Sequence, residues 1–118
     1  MPSTCEYVVT PAPEAGGTAV VTLRGEVDGS AKTVLPAAYA EAVAEHEPAR
    51  VLLDFHAVDY INSTGIAVIV GVLARARGER RVVAAAGLTE HYRHIFTITR
   101  LVDFVELLDP AHPETTPA

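Results

Sequence analysis

The sequence is poor in the residues that build covalent or metal-held scaffolds. Cys5 is its single cysteine, so no intrachain disulfide can form, and no Cys-x-x-Cys pair suggests zinc or redox work. The first residues, MPSTCEYVV, contain no basic stretch followed by an apolar core, so no secretory signal is expected. The longest apolar run, residues 66–74, is about half the length of a membrane-spanning helix. These absences predict a cytoplasmic protein with no membrane insertion.

Basic residues are also scarce. Nine Lys and Arg stand against 15 Asp and Glu, which gives a net charge of −6 and a pI near 5.2. An acidic chain presents no broad positive field to a phosphate backbone, so a nucleic-acid partner is disfavoured. The 118 residues, 49% of them hydrophobic, suit one domain that buries roughly 65% of its unfolded surface without disulfides or metals.

Strand and helix signals alternate along the chain. Runs of β-branched and apolar residues predict strands, and apolar stripes at helical spacing predict helices. The predicted strands are residues 7–10, 18–23, 50–55, 81–86 and 103–108; the predicted helices span residues 30–47, from 62–65 to 78, and from about 89 onward. The first two strands suggest a hairpin, and the later alternation predicts an α/β fold with a mostly parallel sheet and helices packed on it.

Several local features refine this prediction. Ser30 is expected to cap the first helix, and Pro36 implies that this helix either starts late or is kinked. Residues 56–61 are predicted as a loop. The whole chain, residues 1–118, is expected to be a single domain with its core at about 5–109 and a Pro-rich loose tail at 110–118. The residues predicted to face the core from the second and third helices are Ile66, Ile69, Val70 and Leu73, then Tyr92, Ile95 and Phe96.

Three small polar residues, Asn62, Ser63 and Thr64, stand where an apolar strand passes into an apolar helix. Their side-chain oxygens can cap the free N–H groups of a first helical turn, which accounts for one of the three. A hydroxyl in that turn also lies at the positive end of the helix dipole, where a phosphoryl group is stabilised by the same N–H groups. Because a phosphoryl group adds about −1.5 to −2 charges, a switch here would act on the surface offered to a partner.

Three segments in order carry a family resemblance: GEVDGSA at residues 25–31, VLLDFHAVDYINSTGIAVIVGVL at 51–73 and RVVAAAGLTEHYRHIFTITRLVDFVELLD at 81–109. Together they resemble the STAS domain of bacterial anti-sigma factor antagonists, over about residues 18–109. In that family a GELD-type turn follows the second strand and a D-S-S/T-G motif opens a helix. The resemblance implies a STAS-type single domain and places Asp28 on the acidic residue of the turn.

The same resemblance implies a function by partner switching. It places Ser63 on the phosphoacceptor serine, Thr64 on the second hydroxyl residue and Gly65 on the motif glycine. An unphosphorylated antagonist binds an anti-sigma factor that is itself a serine kinase of the histidine-kinase-like ATPase superfamily, and so frees the sigma factor. Phosphorylation of the serine reverses this, which implies a serine phosphatase as a further partner.

The predicted partner-binding residues are Asp28, Asn62, Thr64, Gly65 and Ile66, the last as an apolar anchor. Two features depart from the family pattern. Asn62 stands where an acidic residue usually precedes the phosphoacceptor, and an amide carries no charge. The chain also ends in PAHPETTPA, which cannot form the usual closing helix, and this could favour a homodimer or a different partner contact.

Other interpretations remain open. A STAS module that is never phosphorylated would serve as a scaffold or as a subunit of a lipid-transport or stress-sensing complex. A small hydrolase would use Ser63 with His56 and Asp54 or Asp59, although no G-x-S-x-G elbow is present. No cofactor is expected, since no glycine-rich phosphate loop occurs.

Two clusters in the second half of the chain carry further possibilities. Glu90, His91 and His94 have zinc-ligand types, but solvated helix residues are the commoner interpretation and no metal is predicted. The arginines near the end of the second helix could bind a nucleotide phosphate or an acidic partner, or simply be a solvated helix end; they are Arg75, Arg77, Arg80 and Arg81.

The negative charge is unevenly distributed along the chain. Residues 1–62 hold nine acidic and three basic residues, a balance of −6, and residues 63–118 hold six of each. The partner's docking surface is therefore expected to be basic, and its association to depend on salt.

Overall fold

Five strands form one mixed sheet in the computed structural model, which describes residues 5–108. The elements are β1 Cys5–Thr10, β2 Thr18–Val27, α1 Ala31–Val43, β3 Arg50–Ile61, α2 Ser63–Gly78, β4 Val82–Ala86, α3 Glu90–Ile98, a 3₁₀ turn Leu101–Asp103 and β5 Glu106–Leu107. The strands lie in chain order, with β1 antiparallel to β2 and every later pair parallel. This single α/β domain confirms the predicted hairpin and the mostly parallel sheet.

One face of the sheet forms the core. Alternate residues of the central strands, such as Val21, Leu53 and Val83, are buried, and α1 and α2 pack against this side and against each other. Right-handed connections between neighbouring parallel strands place their helices on the same side. The opposite face is more open: Val8 is 61% and Val82 45% exposed.

The prediction that residues 56–61 form a loop is wrong. β3 continues to Ile61 because Ala57–Ile61 pair with Arg24–Val27 of β2, through two register shifts. β2 is correspondingly longer than predicted and ends at Val27. The two strands extend together beyond β4, whose last pair is Ala86 with Asp54 of β3. This two-stranded extension carries the start of α2 away from the rest of the sheet.

The first helix also departs from its prediction. α1 begins at Ala31, so Pro36 lies inside it and the late start is excluded. α1 ends at Val43 instead of near residue 47, because His46 and Glu47 adopt left-handed backbone angles, with φ of 65° and 42°. Ser30 occupies the cap position, but its side chain makes no capping hydrogen bond.

The last predicted strand is shorter than expected. Residues 101–103 form a 3₁₀ turn, held by hydrogen bonds from Asp103 N to Arg100 O and from Phe104 N to Leu101 O, and only Glu106–Leu107 pair with β4. On α2, Ile69 and Leu73 are buried and Ile66 is half-buried as predicted, but Val70 is 41% exposed. The predicted tail at 110–118 lies outside the described residues.

No helix within residues 5–108 combines the length and the apolar character needed to cross a membrane.

Candidate functional site

The start of α2 is held by the Asn62 side chain. Asn62 has an extended backbone, with φ −104° and ψ −177°, and its Oδ1 accepts a hydrogen bond of 2.8 Å from Gly65 N. Its carbonyl oxygen accepts the first helical bond from Ile66 N, at 2.9 Å. Asn62 is therefore the one capping residue among the three small polar residues at this junction. Ser63 and Thr64 are not needed for that role.

Ser63 is the exposed first residue of α2, and Thr64 is half-buried behind it. Among residues 5–108, neither hydroxyl forms a side-chain hydrogen bond, so both are available to solvent or to another molecule. The first turn itself contains no acidic residue, so none of its own side chains offsets the positive end of the helix dipole. The Ser63 hydroxyl thus stands at a position that favours a negative charge.

Gly65 fixes this turn against the end of β2. A Cβ atom at residue 65 would overlap the carbonyl oxygen of Val27 and lie 3.0 Å from Val27 Cγ1. The same carbonyl oxygen accepts a hydrogen bond from Asn62 N at 3.2 Å. Glycine is therefore needed at residue 65 because α2 packs too closely on β2 to leave room for a side chain. It is not needed for a left-handed backbone conformation.

Asp28 lies next to this contact, because it follows Val27. Its Oδ1 accepts hydrogen bonds from Ser30 N at 2.9 Å and from Ser30 Oγ at 2.7 Å, and its carbonyl oxygen accepts one from Ala31 N at 2.9 Å. Asp28, and not Ser30, thus organises the turn that opens α1. Burial raises the pKa of the nearby Cys5 thiol, and the negative charges of Asp28 and Glu6 raise it further.

The structure brings together the residues predicted from two separate motifs. The Asp28 turn and residues 62–65 meet at Val27, on the extended β2–β3 end of the sheet. Ile66 is half-buried and packs against the core, so only part of its side chain remains for a partner.

Tyr92 on α3 belongs to this site, although the sequence pattern predicts only that it faces inward. Its hydroxyl oxygen accepts a hydrogen bond of 3.0 Å from Ile61 N, immediately before the motif. Tyr92 thereby ties α3 to the end of β3. The inward position of an aromatic residue is the only sequence signal for this contact.

The residues of the hydrolase interpretation come together only in part. His56 Nδ1 lies 2.6 Å from Asp54 Oδ1, while Asp59 is exposed. His56 packs against Gly87, and no hydrogen bond within residues 5–108 joins it to Ser63. The geometry lacks the nucleophile–base contact that such chemistry needs.

The zinc interpretation has no geometric support either. Within residues 5–108, no group of three or more His, Cys, Asp or Glu is arranged to hold a metal ion. His91 is exposed and has an edge contact with Tyr92, at 5.0 Å between ring centroids.

Comparison with known proteins places these features in a family. The family model described as "Mlab, STAS domain" matches residues 12–109. No curated protein matches the sequence.

Solved structures share the fold at low sequence identity. An anti-sigma factor antagonist from Mycobacterium paratuberculosis is 21% identical, with a TM-score of 0.68 over 88% of this chain and 85% of that one. The phosphorylated form of the Bacillus cell fate determinant SpoIIAA is 15% identical, with a TM-score of 0.63 over 90% and 94%. The unphosphorylated form of SpoIIAA, an anti-sigma factor antagonist, gives a TM-score of 0.65 over 88% of each chain at 15% identity.

These likenesses extend over nearly the whole domain, and the family match includes the Asp28 turn and the motif at 62–65. The chain therefore belongs to the STAS domain family.

Proposed function

We propose that this protein is an anti-sigma factor antagonist that acts by partner switching. In its unphosphorylated form it binds an anti-sigma factor of the serine-kinase type through the Asp28 turn and the start of α2. Transfer of a phosphoryl group to Ser63 Oγ ends that complex, and a serine phosphatase restores it. STAS domains of this family are in general binding proteins and not enzymes, and the protein needs no cofactor of its own for this role.

The exposed Ser63 hydroxyl is the observation that carries the proposal. Asn62 already caps the helix, so Ser63 has no structural duty that would explain a hydroxyl there. Its position on the first turn places a phosphoryl group beside free N–H groups and the positive end of the helix dipole. The product of the transfer is thus stabilised without any change in fold.

The contacts around Ser63 explain how one phosphoryl group would act on a partner. Gly65 and Asn62 hold the turn rigidly against Val27, so the new charge cannot withdraw into the protein. About −1.5 to −2 charges then stand at the docking surface. Because the partner surface is expected to be basic, release must come from steric overlap or from the cost of burying the phosphoryl group, and not from simple repulsion.

Phosphoryl transfer from a candidate kinase tests the proposal directly. The protein is incubated with ATP and with each kinase-like anti-sigma factor encoded in the same genome, and its intact mass is followed. We expect the gain of one phosphoryl group, abolished by Ser63→Ala and retained in Thr97→Ala, a control at an exposed hydroxyl on α3. Complex formation, measured before and after transfer, should be lost on phosphorylation. Transfer that persists in Ser63→Ala contradicts the assignment.

The uncharged Asn62 favours a second candidate function. A STAS scaffold or transport-complex subunit would keep the capped helix start as a constant docking surface, without phosphorylation, and the matching family model is named for Mlab and not for an antagonist. If complexes form with a kinase-like anti-sigma factor but no transfer occurs, this candidate replaces the first. Asn62→Asp should then permit some transfer, because a carboxylate can orient the hydroxyl and meet the metal of the kinase.

A further inference from the structure

An apolar groove runs between the C-terminal half of α2 and the segment that contains the 3₁₀ turn. It has a volume of about 510 Å³, and most of its lining is apolar: Val70, Leu73, Ala74, Leu101 and Phe104. We call it the α2–3₁₀ groove. Leu73 and Leu101 form its buried floor, whereas Val70 and Phe104 stand 41% and 47% exposed at its edges. The floor and the two edges together form one apolar surface that is open to a partner.

Four arginines lie in or just after the last turns of α2, and their contacts divide them into two pairs. Arg75 Nε is 3.2 Å from Glu79 Oε2, and Arg81 binds Glu79, Glu47 and the carbonyl oxygen of Pro48. The Glu79 carboxylate also accepts a hydrogen bond of 2.8 Å from the buried Tyr39 hydroxyl. The charges of Arg75 and Arg81 are therefore neutralised by carboxylates of the protein itself.

The other two arginines have no such neutralisation. Within residues 5–108, Arg77 and Arg80 form no ion pair. The Arg77 guanidinium lies over the Phe104 ring, 4.9 Å from its centroid, and Arg80 is exposed on a left-handed backbone with φ 63°. Both line a second cavity, of about 360 Å³, that shares Leu73, Arg77 and Phe104 with the groove. The acids along it are already paired, Asp103 with Arg100 and Glu106 with Arg50.

We infer that the α2–3₁₀ groove docks an acidic amphipathic helix of a protein partner. Apolar side chains of that helix would fill the groove beside Val70 and Phe104, and its carboxylates would meet Arg77 and Arg80. Recognition of one helix face by an apolar groove with a charged rim is a recurrent binding mode. Burial of the apolar side chains supplies affinity, and the guanidinium groups of Arg77 and Arg80 supply charge selection.

Two other occupants fit the same surface less well. A compact phosphate or nucleotide would face the C-terminal end of α2, whose dipole is negative, and would leave the apolar groove empty. A second copy of the chain in a two-fold dimer would bring the unpaired Arg77 and Arg80 of both copies into one interface without adding a free carboxylate from the groove. A helix with carboxylates beside an apolar face matches both the positive charge of Arg77 and Arg80 and the shape of the apolar groove.

The groove is independent of the proposed phosphorylation site. Arg77 lies 14 residues beyond Ser63 on the same helix, which corresponds to about 21 Å along its axis. Val70, the α2 residue of the groove nearest to Ser63, lies 7 residues beyond it, or about 10 Å along the axis, so the groove contains no residue of the Ser63 turn. The two surfaces can serve different partners, or different parts of one partner.

Titration of the labelled protein with two synthetic peptides tests this inference. Each peptide is about four helical turns long, with leucines at i, i+3, i+4 and i+7; one carries glutamates beside the leucines and the other glutamines. We expect saturable NMR shifts at Val70, Ala74 and Phe104 with the glutamate peptide, and binding at least about tenfold weaker for the glutamine peptide.

Two charge-reversal variants complete the test. Arg80→Glu should weaken binding of the glutamate peptide by about tenfold or more, and Lys32→Glu, an equal charge change on the exposed side of α1, by less than about twofold. Circular dichroism establishes that both variants are folded. Ser63→Ala should bind the peptide like the unaltered chain, so failure of phosphoryl transfer and failure of this inference are distinguishable.

Four results would overturn the inference: no saturable shift at the groove, equal binding of both peptides, equal binding by Arg80→Glu, or shifts at Arg77 and Arg80 with ATP or inorganic phosphate but not with the peptide. A concentration-dependent dimer that Val70→Ser converts to a monomer would assign the groove to a second copy, and would also overturn it.

Discussion

The two ends of α2 are built on different principles. At the N-terminal end, small residues and backbone contacts define the structure: the Asn62 cap, and the approach of Gly65 to Val27. At the C-terminal end, long side chains form a network around Glu79, reaching Tyr39, Arg75 and Arg81. The first end leaves a hydroxyl exposed, and the second leaves two guanidinium groups exposed. One helix therefore presents a site suited to modification and a surface suited to charged contact.

Because of this difference, we expect the two ends of α2 to respond differently to substitutions and to pH. A backbone contact at van der Waals distance cannot adjust, whereas an ion-pair network can lose a member and rearrange. At the N-terminal end, the contact between Gly65 and Val27 should not tolerate an added side-chain atom, and it contains no group that titrates. The C-terminal end should tolerate substitution but respond to the protonation of its members.

The largest effect is expected from Gly65→Ala. The added Cβ would overlap the Val27 carbonyl oxygen, so α2 must move away from β2 and strain the Asn62 cap. We expect the free energy of unfolding, measured by urea denaturation, to fall by about 3 kcal/mol. Gly71→Ala is the matched control: residue 71 lies on the same helix with open space around it, so alanine should stabilise by about 0.5 to 1 kcal/mol. A change below about 1 kcal/mol in Gly65→Ala would contradict the steric account.

A smaller loss of stability is expected at alkaline pH, when Tyr39 loses its proton. Burial raises the pKa of Tyr39 to about 12, and its hydrogen bond to the Glu79 carboxylate adds to this. A pKa raised in the folded state stabilises the fold below the unfolded value, near pH 10, and that stabilisation is lost as pH rises toward 12. We expect a loss of about 2 kcal/mol across this window.

Tyr39→Phe isolates this contribution. It removes the titrating group, so the loss between pH 10 and 12 should be correspondingly smaller. At neutral pH the variant should be about 1 kcal/mol less stable, since the hydroxyl–carboxylate hydrogen bond is gone. Tyr60→Phe, at a half-exposed tyrosine, is the control and should behave like the unaltered chain. If the free energy of unfolding falls equally between pH 10 and 12 in Tyr39→Phe and in the unaltered chain, Tyr39 is not the group responsible for the loss.

The same contrast separates the features that the sequence can predict from those that it cannot. The N-terminal end of α2 is formed by residues that are adjacent in sequence, namely Asn62, Ser63, Thr64 and Gly65. Their residue types alone indicate a capped strand–helix junction. The strands and helices around it are predictable for the same reason. The separate role of each polar residue depends on side-chain geometry, which assigns the cap to Asn62 alone.

The features that sequence reasoning misses are long-range contacts. The continuation of β3 through residues 56–61 depends on pairing with residues of β2 that lie 33 or 34 positions earlier. Tyr92 reaches Ile61 from 31 residues away. Of the arginines near the end of α2, Arg75 has a local partner in Glu79 at i,i+4, whereas the contact of Arg81 with Glu47 spans 34 residues and has no signal in the sequence. Such contacts follow from the packing of the whole domain and leave no local pattern.

The smallest effects are expected from the Asn62 cap. Asn62→Ala removes the acceptor of the Gly65 amide and should lower the free energy of unfolding by about 1 kcal/mol. Asn62→Asp keeps an acceptor and adds a negative charge where the dipole favours it, so stability should rise by about 0.5 kcal/mol at low salt. Urea denaturation measures both, and amide exchange at Gly65 should accelerate only in the alanine variant.

Thr89, the cap of α3, provides the comparison for that prediction. Its hydroxyl accepts from Tyr92 N at a longer 3.3 Å, so Thr89→Ala should cost less than Asn62→Ala. If the two alanine variants lose equal stability, the Asn62 cap has no special strength. If Asn62→Ala is the more harmful, the rigid turn that presents Ser63 depends on the amide at residue 62. Asn62 would then have a structural function as the helix cap, in addition to replacing the acidic residue that usually precedes the phosphoacceptor.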